Sequence, residues 1–454
     1  MLKSLHFQNF KSWKDAPVNC APVTGFFGTN SSGKTSIIQF LLMLKQTKEG
    51  TDRAISLALN GDYVSLGTIS DVIHKHDTSL PLLWSLDFLL DTELSASDSS
   101  KERPTTISRS NNLQISASNL IQNGAPVSNR LAYRLGGLEF SLNPRTDQTT
   151  QFDLACRKVD LDAVDFHFVR TQGRAWRLPG PVKSYAFPDQ ARTYFQNALF
   201  LADLEAAYEA QLDRLYYLGP LRQYPQRDYL WTRSRPTDVG QRGEKAIDAI
   251  LAATEAKETR NIKYKGKHRS FQEIVSYWLK EMGLIDQFWM EEIGSNSNRW
   301  QARVQTRGQT TPVLLTDVGF GISQVLPVVT LLQYVPEGAT VVLEQPEIHL
   351  HPLAQAALAD VIIQAAMHRK VQVILESHSE HLLLRLQRRI AEEEIKSSDV
   401  ALYFCDAPNG ESTLTTLEVD VLGNIRNWPE HFMGDAFNET ALAELARLKR
   451  RKAD

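Results

Sequence analysis

The period of hydrophobic and polar positions changes several times along the chain. Leu2 to Trp13 alternates in strand phase (L-x-x-L-x-F) and closes on Lys14-Asp15-Ala16-Pro17, which predicts a turn with a second strand beyond it. Pro22 to Phe27 is a short apolar run suited to a buried strand, and Ser36 to Leu44 (S-I-I-Q-F-L-L-M-L) reads as an apolar helix. From Ala54 to about Lys183 the chain breaks into short β-prone runs: Ala54 to Leu59, Leu82 to Leu90, Leu113 to Ser118, Leu131 to Leu142, Phe152 to Val159 and Phe166 to Thr171. Turn residues separate them, so a largely antiparallel sheet is expected. Ser95 to Asn112, rich in Ser, Asp and Thr, reads as a mobile loop.

Beyond Tyr194 the period lengthens. Ala198 to Tyr217, Glu244 to Ala256 and Phe271 to Met282 carry apolar residues at i, i+3 and i+4 and are expected to be helices. Gly219-Pro220, Pro225, Pro236 and Gly240 interrupt this region, and no heptad is sustained, which excludes a long coiled-coil arm. Strands resume at Arg299 to Thr306, after which strand and helix alternate in the manner of a parallel sheet. The expected organisation is an N-terminal lobe (1–190), a helical insertion (191–298), a C-terminal lobe (299–405) and a cap (406–454).

At 454 residues the chain exceeds the size at which one core keeps growing. A formal net charge of -3 excludes a uniformly basic nucleic-acid binder, so any contact with DNA or RNA needs a local patch. Cys20, Cys156 and Cys405 lie far apart without C-x-x-C spacing, which suggests neither a zinc site nor a disulfide framework. The N-terminus has no signal-peptide core, and no apolar run approaches a membrane span. A cytoplasmic protein without membrane contact is expected.

The apolar run at Val23 feeds into G-x-x-x-x-G-K-T, with Gly28, Gly33, Lys34 and Thr35 in the fixed positions. A loop whose backbone N–H groups turn inward around a triphosphate needs small residues, here Gly28, Ser31, Ser32 and Gly33, and a following helix N-terminus attracts negative charge. Lys34 would neutralise the β- and γ-phosphates of ATP and the Thr35 hydroxyl would hold Mg²⁺. Further on, Gly338 to Pro352 reads G-A-T-V-V-L-E-Q-P-E-I-H-L-H-P: a buried strand ending in Glu344, where such a protein places its second Mg²⁺-coordinating carboxylate. Leu314 to Pro327 has a glycine-rich turn at a helix start near Ile322, and Val371 to Leu375 is a buried strand leading into Glu376-Ser377-His378-Ser379-Glu380-His381.

In the order F-G-x-N-S-S-G-K-T-S, D-V-G-F-G-I-S-Q-V-L-P, E-Q-P-E-I-H-L-H-P and S-H-S, these motifs resemble the ABC-type ATPase heads of the SMC, RecF and OLD group, most of all compact stand-alone heads that include ATPase subunits of bacterial anti-phage defence systems. The resemblance is strong at residues 1–48 and 310–380, with weaker support from Tyr217-Leu218-Gly219-Pro220-Leu221-Arg222 and from L-G-N-I-R-N-W-P-E-H-F near the C-terminus. It implies an α/β P-loop fold of ABC-head type, with Asn30, Gly33, Lys34, Thr35 and Ser36 on phosphate, Glu344 on the Mg²⁺ side and His378 as the switch histidine. Gly319, Gly321 and Ser323 would form a signature motif that contacts the γ-phosphate held by another protomer. One chain carries one phosphate loop and one signature, so two composite sites need a homodimer or a higher homo-oligomer.

One position departs from most relatives, in which the acid strand ends in two acids. Here the second is Gln345, whose amide orients water but cannot take a proton. Either Glu347, or a water held by Gln345 and His378, supports hydrolysis, or turnover is slow; slow but real hydrolysis is expected, since positioning carries most of phosphoryl transfer.

His349 and His351, with His378 and His381, raise the question of zinc, but a turn into a helix near Leu353 accounts for the first pair. Arg222 to Arg235 and Lys257 to Arg269 interleave cations with Tyr or Trp, as strand-tracking surfaces do, although solvated loops and an ATP-sensing Arg near Leu221 read them as well. Arg447 to Lys452 reads as the charged end of a helix. Asp160-Leu161-Asp162 has the spacing of a nuclease motif but is expected on one solvated strand face, so nuclease activity is expected from a separate partner. Three functions stay open: a regulatory ATPase that holds a nuclease or toxin effector in phage defence, a DNA-binding repair or chromosome ATPase, and a non-hydrolysing nucleotide sensor.

Overall fold

The computed structural model describes residues 1–100, 103–145, 148–173, 177–262, 266–294 and 297–429. Residues 447–452, the end of the L-G-N-I-R-N-W-P-E-H-F stretch and 263–265 within the second basic run lie outside them.

Two sheets organise the chain. The first has seven antiparallel strands in the order Trp13–Asn19, Leu2–Phe10, Leu82–Asp98, Thr105–Gln122, Ala125–Leu135, Leu138–Arg145, Gln148–Lys158. Its long members alternate buried and half-buried residues, as in Leu82–Leu90, so one face is core. The second has six strands in the order Thr413–Thr416, Val400–Asp406, Val23–Gly28, Gln372–Glu376, Thr340–Glu344, Leu215–Leu218; all neighbours run parallel except the first pair.

The helix Lys34–Glu49 lies between the two sheets, which is why its sequence is apolar nearly all round: Ile37, Ile38, Phe40, Leu41, Leu42, Met43 and Leu44 are all buried. Phe40 stacks on Phe7 of the antiparallel sheet (centroids 4.6 Å, planes 11° apart), and on its other side Phe26, Val342 and Ile374 of the parallel sheet join the same core. The opposite face of the parallel sheet is covered by helices Phe320–Tyr334, Pro352–Arg369 and Glu380–Ala391, with Ala246–Glu255 and Phe271–Glu281 beyond. No helix among the described residues exceeds the 18 residues of Pro352–Arg369.

Several local expectations need correction. The first turn falls at Lys11-Ser12, where Lys11 is left-handed (φ 51°), and Lys14 to Pro17 lies inside the next strand. That strand is at the sheet edge, which tolerates Pro17. Ser95 to Asn112 is mostly strand in a long hairpin, and of its polar residues Asp98 is buried. Leu131 to Leu142 is a hairpin rather than one strand, whereas Ala54 to Leu59 and Phe166 to Thr171 form none. The helix expected over Ala198 to Tyr217 stops at Asp213, because Leu215–Leu218 leaves it to become the outer parallel strand. Asp160 and Asp162 sit in a turn, closed by the Ala163 N–H donating to Asp160 O at 3.1 Å, not on a strand face.

Candidate functional site

In a parallel sheet, residues opposite one another in register share a face. Phe26, Glu376 and Glu344 form one such row, two residues beyond the row of Ile374 and Val342 that packs against the first helix. Both glutamates therefore face the side on which that helix begins. The turn into the helix is steric work for glycine: Gly28 has φ 138° and an added Cβ would lie 1.9 Å from Cys405 O, while Gly33 (φ 89°) would meet Ser412 Oγ at 2.4 Å. Trp13 Nε1 donates to Gly33 O at 3.0 Å and pins the loop from the antiparallel sheet.

Lys34 is buried at 3% exposure, and its ammonium donates to Gly28 O (3.1 Å), Thr29 O (2.6 Å) and Ser32 Oγ (3.3 Å). Burial lowers its pKa, opposed by the Glu376 carboxylate. The helix that follows has Gly33 at its N-cap and no side-chain cap, leaving first-turn N–H groups for an anion. Asn30, Ser31, Ser32, Gly33, Lys34, Thr35 and Ser36 line a cavity of about 680 Å³ together with Gln345, Glu376 and His378. A buried cation, an uncapped helix start and a carboxylate beside a threonine hydroxyl fit a triphosphate with Mg²⁺.

The acid next to the loop is Glu376. Thr35 Oγ1 donates to its Oε2 at 2.8 Å, and the Gln345 N–H donates to its backbone carbonyl at 2.9 Å. Glu344 is one strand further out and accepts a hydrogen bond from Tyr217 Oη at 3.0 Å. Burial, then repulsion from Glu376, pushes the Glu344 pKa up to about 7, and burial likewise raises Glu376. Glu347 does not line the cavity; its Oε1 accepts the His378 N–H at 2.8 Å, bracing the loop after the histidine strand. The His378 pKa is lowered by partial burial and by Lys34, against a bond to the Gly28 backbone.

Gln345 (φ 43°) and His349 (φ 64°) are left-handed, folding the chain tightly between the acid strand and the next helix. His351 Nδ1 accepts the Leu353 N–H at that helix's start (3.4 Å), and the His349 ring packs on Phe320 (4.9 Å). Gly319, Gly321 and Ser323 stand at the uncapped start of Phe320–Tyr334, beside His349, whose carbonyl would be 2.8 Å from a Cβ on Gly321. None of the three lines the phosphate cavity of its own chain.

The basic runs are divided by the fold. Arg222 is 4% exposed and donates to Glu344 O and Gln345 O (both 3.3 Å), beneath the acid-strand loop. Arg227, Arg233 and Arg235 pair with Asp317, Glu255 and Glu258.

A family model described as an AAA domain, putative AbiEii toxin of a type IV toxin–antitoxin system, matches residues 23–385. The chain belongs to this AAA family. A second model, a protein of unknown function (DUF3696), matches residues 395–442. A search of curated proteins returns no match. Among solved structures, the SMC head domain from Thermotoga maritima aligns at 11% identity and TM-score 0.42, covering 92% of this chain and 99% of that one. The Smc head with an extended coiled coil bound to the C-terminal domain of ScpA, derived from Pyrococcus furiosus, aligns at 10% identity and TM-score 0.42, covering 99% of each. A SmcHead bound to the C-winged helix domain of ScpA aligns at 11% identity and TM-score 0.45, covering 92% of this chain and 98% of that one.

Sequence reading of this AAA ATPase missed Glu376, although the signal was there: V-I-L-E repeats the apolar-strand-then-acid pattern of V-V-L-E. It also missed Lys11 and His74 to His76, which reach the cavity rim from the antiparallel sheet and the short turns that follow. Among the described residues, no helix is long and apolar enough to cross a membrane.

Proposed function

We propose that this AAA ATPase binds Mg²⁺–ATP, hydrolyses it slowly, and joins copies of itself so that the signature of one protomer closes the phosphate loop of another. The observation carrying this reading is the separation within one chain of Gly319, Gly321 and Ser323 from the cavity that Lys34 and Thr35 line. Each half presents an uncapped helix start, so each attracts phosphate, and a second copy supplies what the first lacks. Slow turnover follows from Gln345, which orients water without accepting its proton.

The bound assembly would regulate a separate cytoplasmic effector, a nuclease or toxin, in anti-phage defence. That part rests on the family resemblance. A DNA-binding reading draws on the exposed cations: Arg222 is buried, but Arg227, Arg233 and Arg235 pair with acids while staying 70, 64 and 59% exposed.

Light scattering with and without ATP tests the assembly. ATP is expected to raise the mass of the wild type and not of Lys34→Ala or Ser323→Arg; a mass insensitive to ATP would sink the composite site. A turnover of many per second, retained in Glu347→Ala, would refute both slow hydrolysis and any part for Glu347. Phage plating of cells expressing this chain alone, and this chain together with whatever genes flank it, tests the effector role, and protection by this chain alone would reject it.

A further inference from the structure

We propose that Glu376, on the strand between the phosphate loop and the acid strand, is the carboxylate on the Mg²⁺ side of the site, and that Glu344 stands behind it. This rests on the ATP reading above and changes which residue performs the metal-side role.

Strand order and the contacts of the two carboxylates together point to Glu376. Gln372–Glu376 adjoins Val23–Gly28 directly, whereas Thr340–Glu344 is separated from it by that strand. Strands stand about 5 Å apart, so Glu344 starts one strand farther from the loop than Glu376 does. Only the nearer one touches Thr35, at 2.8 Å. Glu376 lines the cavity and Glu344 does not. Tyr217 Oη, at 3.0 Å, turns the Glu344 carboxylate toward the outer strand.

Mg²⁺ takes oxygen ligands at short distance and usually keeps several waters, with one or two carboxylates and the substrate's phosphates completing the shell. Thr35 Oγ1 and a Glu376 oxygen in mutual contact are such a pair. Gln345, whose backbone N–H donates to the Glu376 carbonyl at 2.9 Å, is held beside it.

The test is calorimetric titration of a non-hydrolysable ATP analogue, with Mg²⁺ and with EDTA, into wild type, Glu376→Gln and Glu344→Gln. Mg²⁺ is expected to tighten binding to the wild type. Glu376→Gln is expected to lose about ten-fold or more of that gain while binding metal-free analogue as well as the wild type; Glu344→Gln should lose less than about three-fold. The reverse ranking, or an undiminished gain in Glu376→Gln, overturns the assignment. Absence of binding by the wild type in either buffer overturns the ATP reading and this assignment with it. Should Glu376→Gln fail to fold, Glu376→Asp retracts the carboxylate by one methylene and keeps its charge. A reduced metal-dependent gain then supports the assignment, and a gain equal to the wild type's defeats it.

Discussion

Replacing Glu344 with glutamine should stabilise the metal-free protein, and only above a definable pH. Glu344 is 7% exposed, and burial with the nearby Glu376 charge raises its pKa from the ordinary 4.5 to about 7. Between those values the native state holds a proton that the unfolded chain releases, so stability falls as pH rises through the window and levels off above it. The span from 4.5 to about 7, at about 1.4 kcal/mol for each factor of ten in the proton equilibrium, amounts to about 3 kcal/mol. Glutamine keeps the shape and an oxygen for Tyr217 while removing the charge. An unfolding entropy of about 2.1 cal/mol/K per residue over 454 residues converts about 3 kcal/mol into about 3 °C for cooperative unfolding of the chain. Thermal unfolding followed by intrinsic fluorescence in EDTA should show Glu344→Gln melting about 3 °C above the wild type at pH 8, with the gap closing towards pH 4.5. A gap independent of pH, or of opposite sign at pH 8, would refute the origin of the shift in burial and repulsion. Mg²⁺ with ATP analogue should narrow the gap at pH 8, because a bound cation compensates the charges that the substitution removes.

Gly28→Ala should lower the unfolding temperature sharply or abolish soluble expression, since its Cβ would lie 1.9 Å from Cys405 O at φ 138°. Gly410→Ala, also at positive φ (78°) and on the same cavity but with nothing within 4 Å of the new Cβ, should cost only about 1 kcal/mol; equal losses in the two would show that space at the loop is not limiting. Gln345→Glu places a proton acceptor on the cavity wall and is expected to raise turnover about 10²-fold, within the range of general-base contributions, with some loss of stability from a further carboxylate beside Glu376. Steady-state phosphate release measures it, and an unchanged rate would place the slow step elsewhere.

What could be read from residues alone was whatever is local. The loop from Gly28 to Ser36 carries its chemistry in contiguous residues, since backbone N–H groups, a lysine and a hydroxyl at fixed spacing form one turn wherever the strand and helix go. The all-round apolar character of Ile37 to Leu44 likewise announced a helix buried on every side, and Val-Val-Leu-Glu a strand with an acid at its mouth. Tertiary structure decided everything that depends on which strand lies beside which. Two strands end in the same apolar-to-Glu pattern, and periodicity ranks them equally; only the order of the parallel sheet sets Glu376 against Thr35 and Glu344 a strand away. The outer strand Leu215–Leu218 was hidden for the same reason, its four residues continuing a helical pattern until pairing with Thr340 to Leu343 claimed them. Arg222 looked like part of a basic surface because charge along a sequence carries no burial. Packing beneath the acid-strand loop turned it inward, where backbone carbonyls hold it instead of solvent.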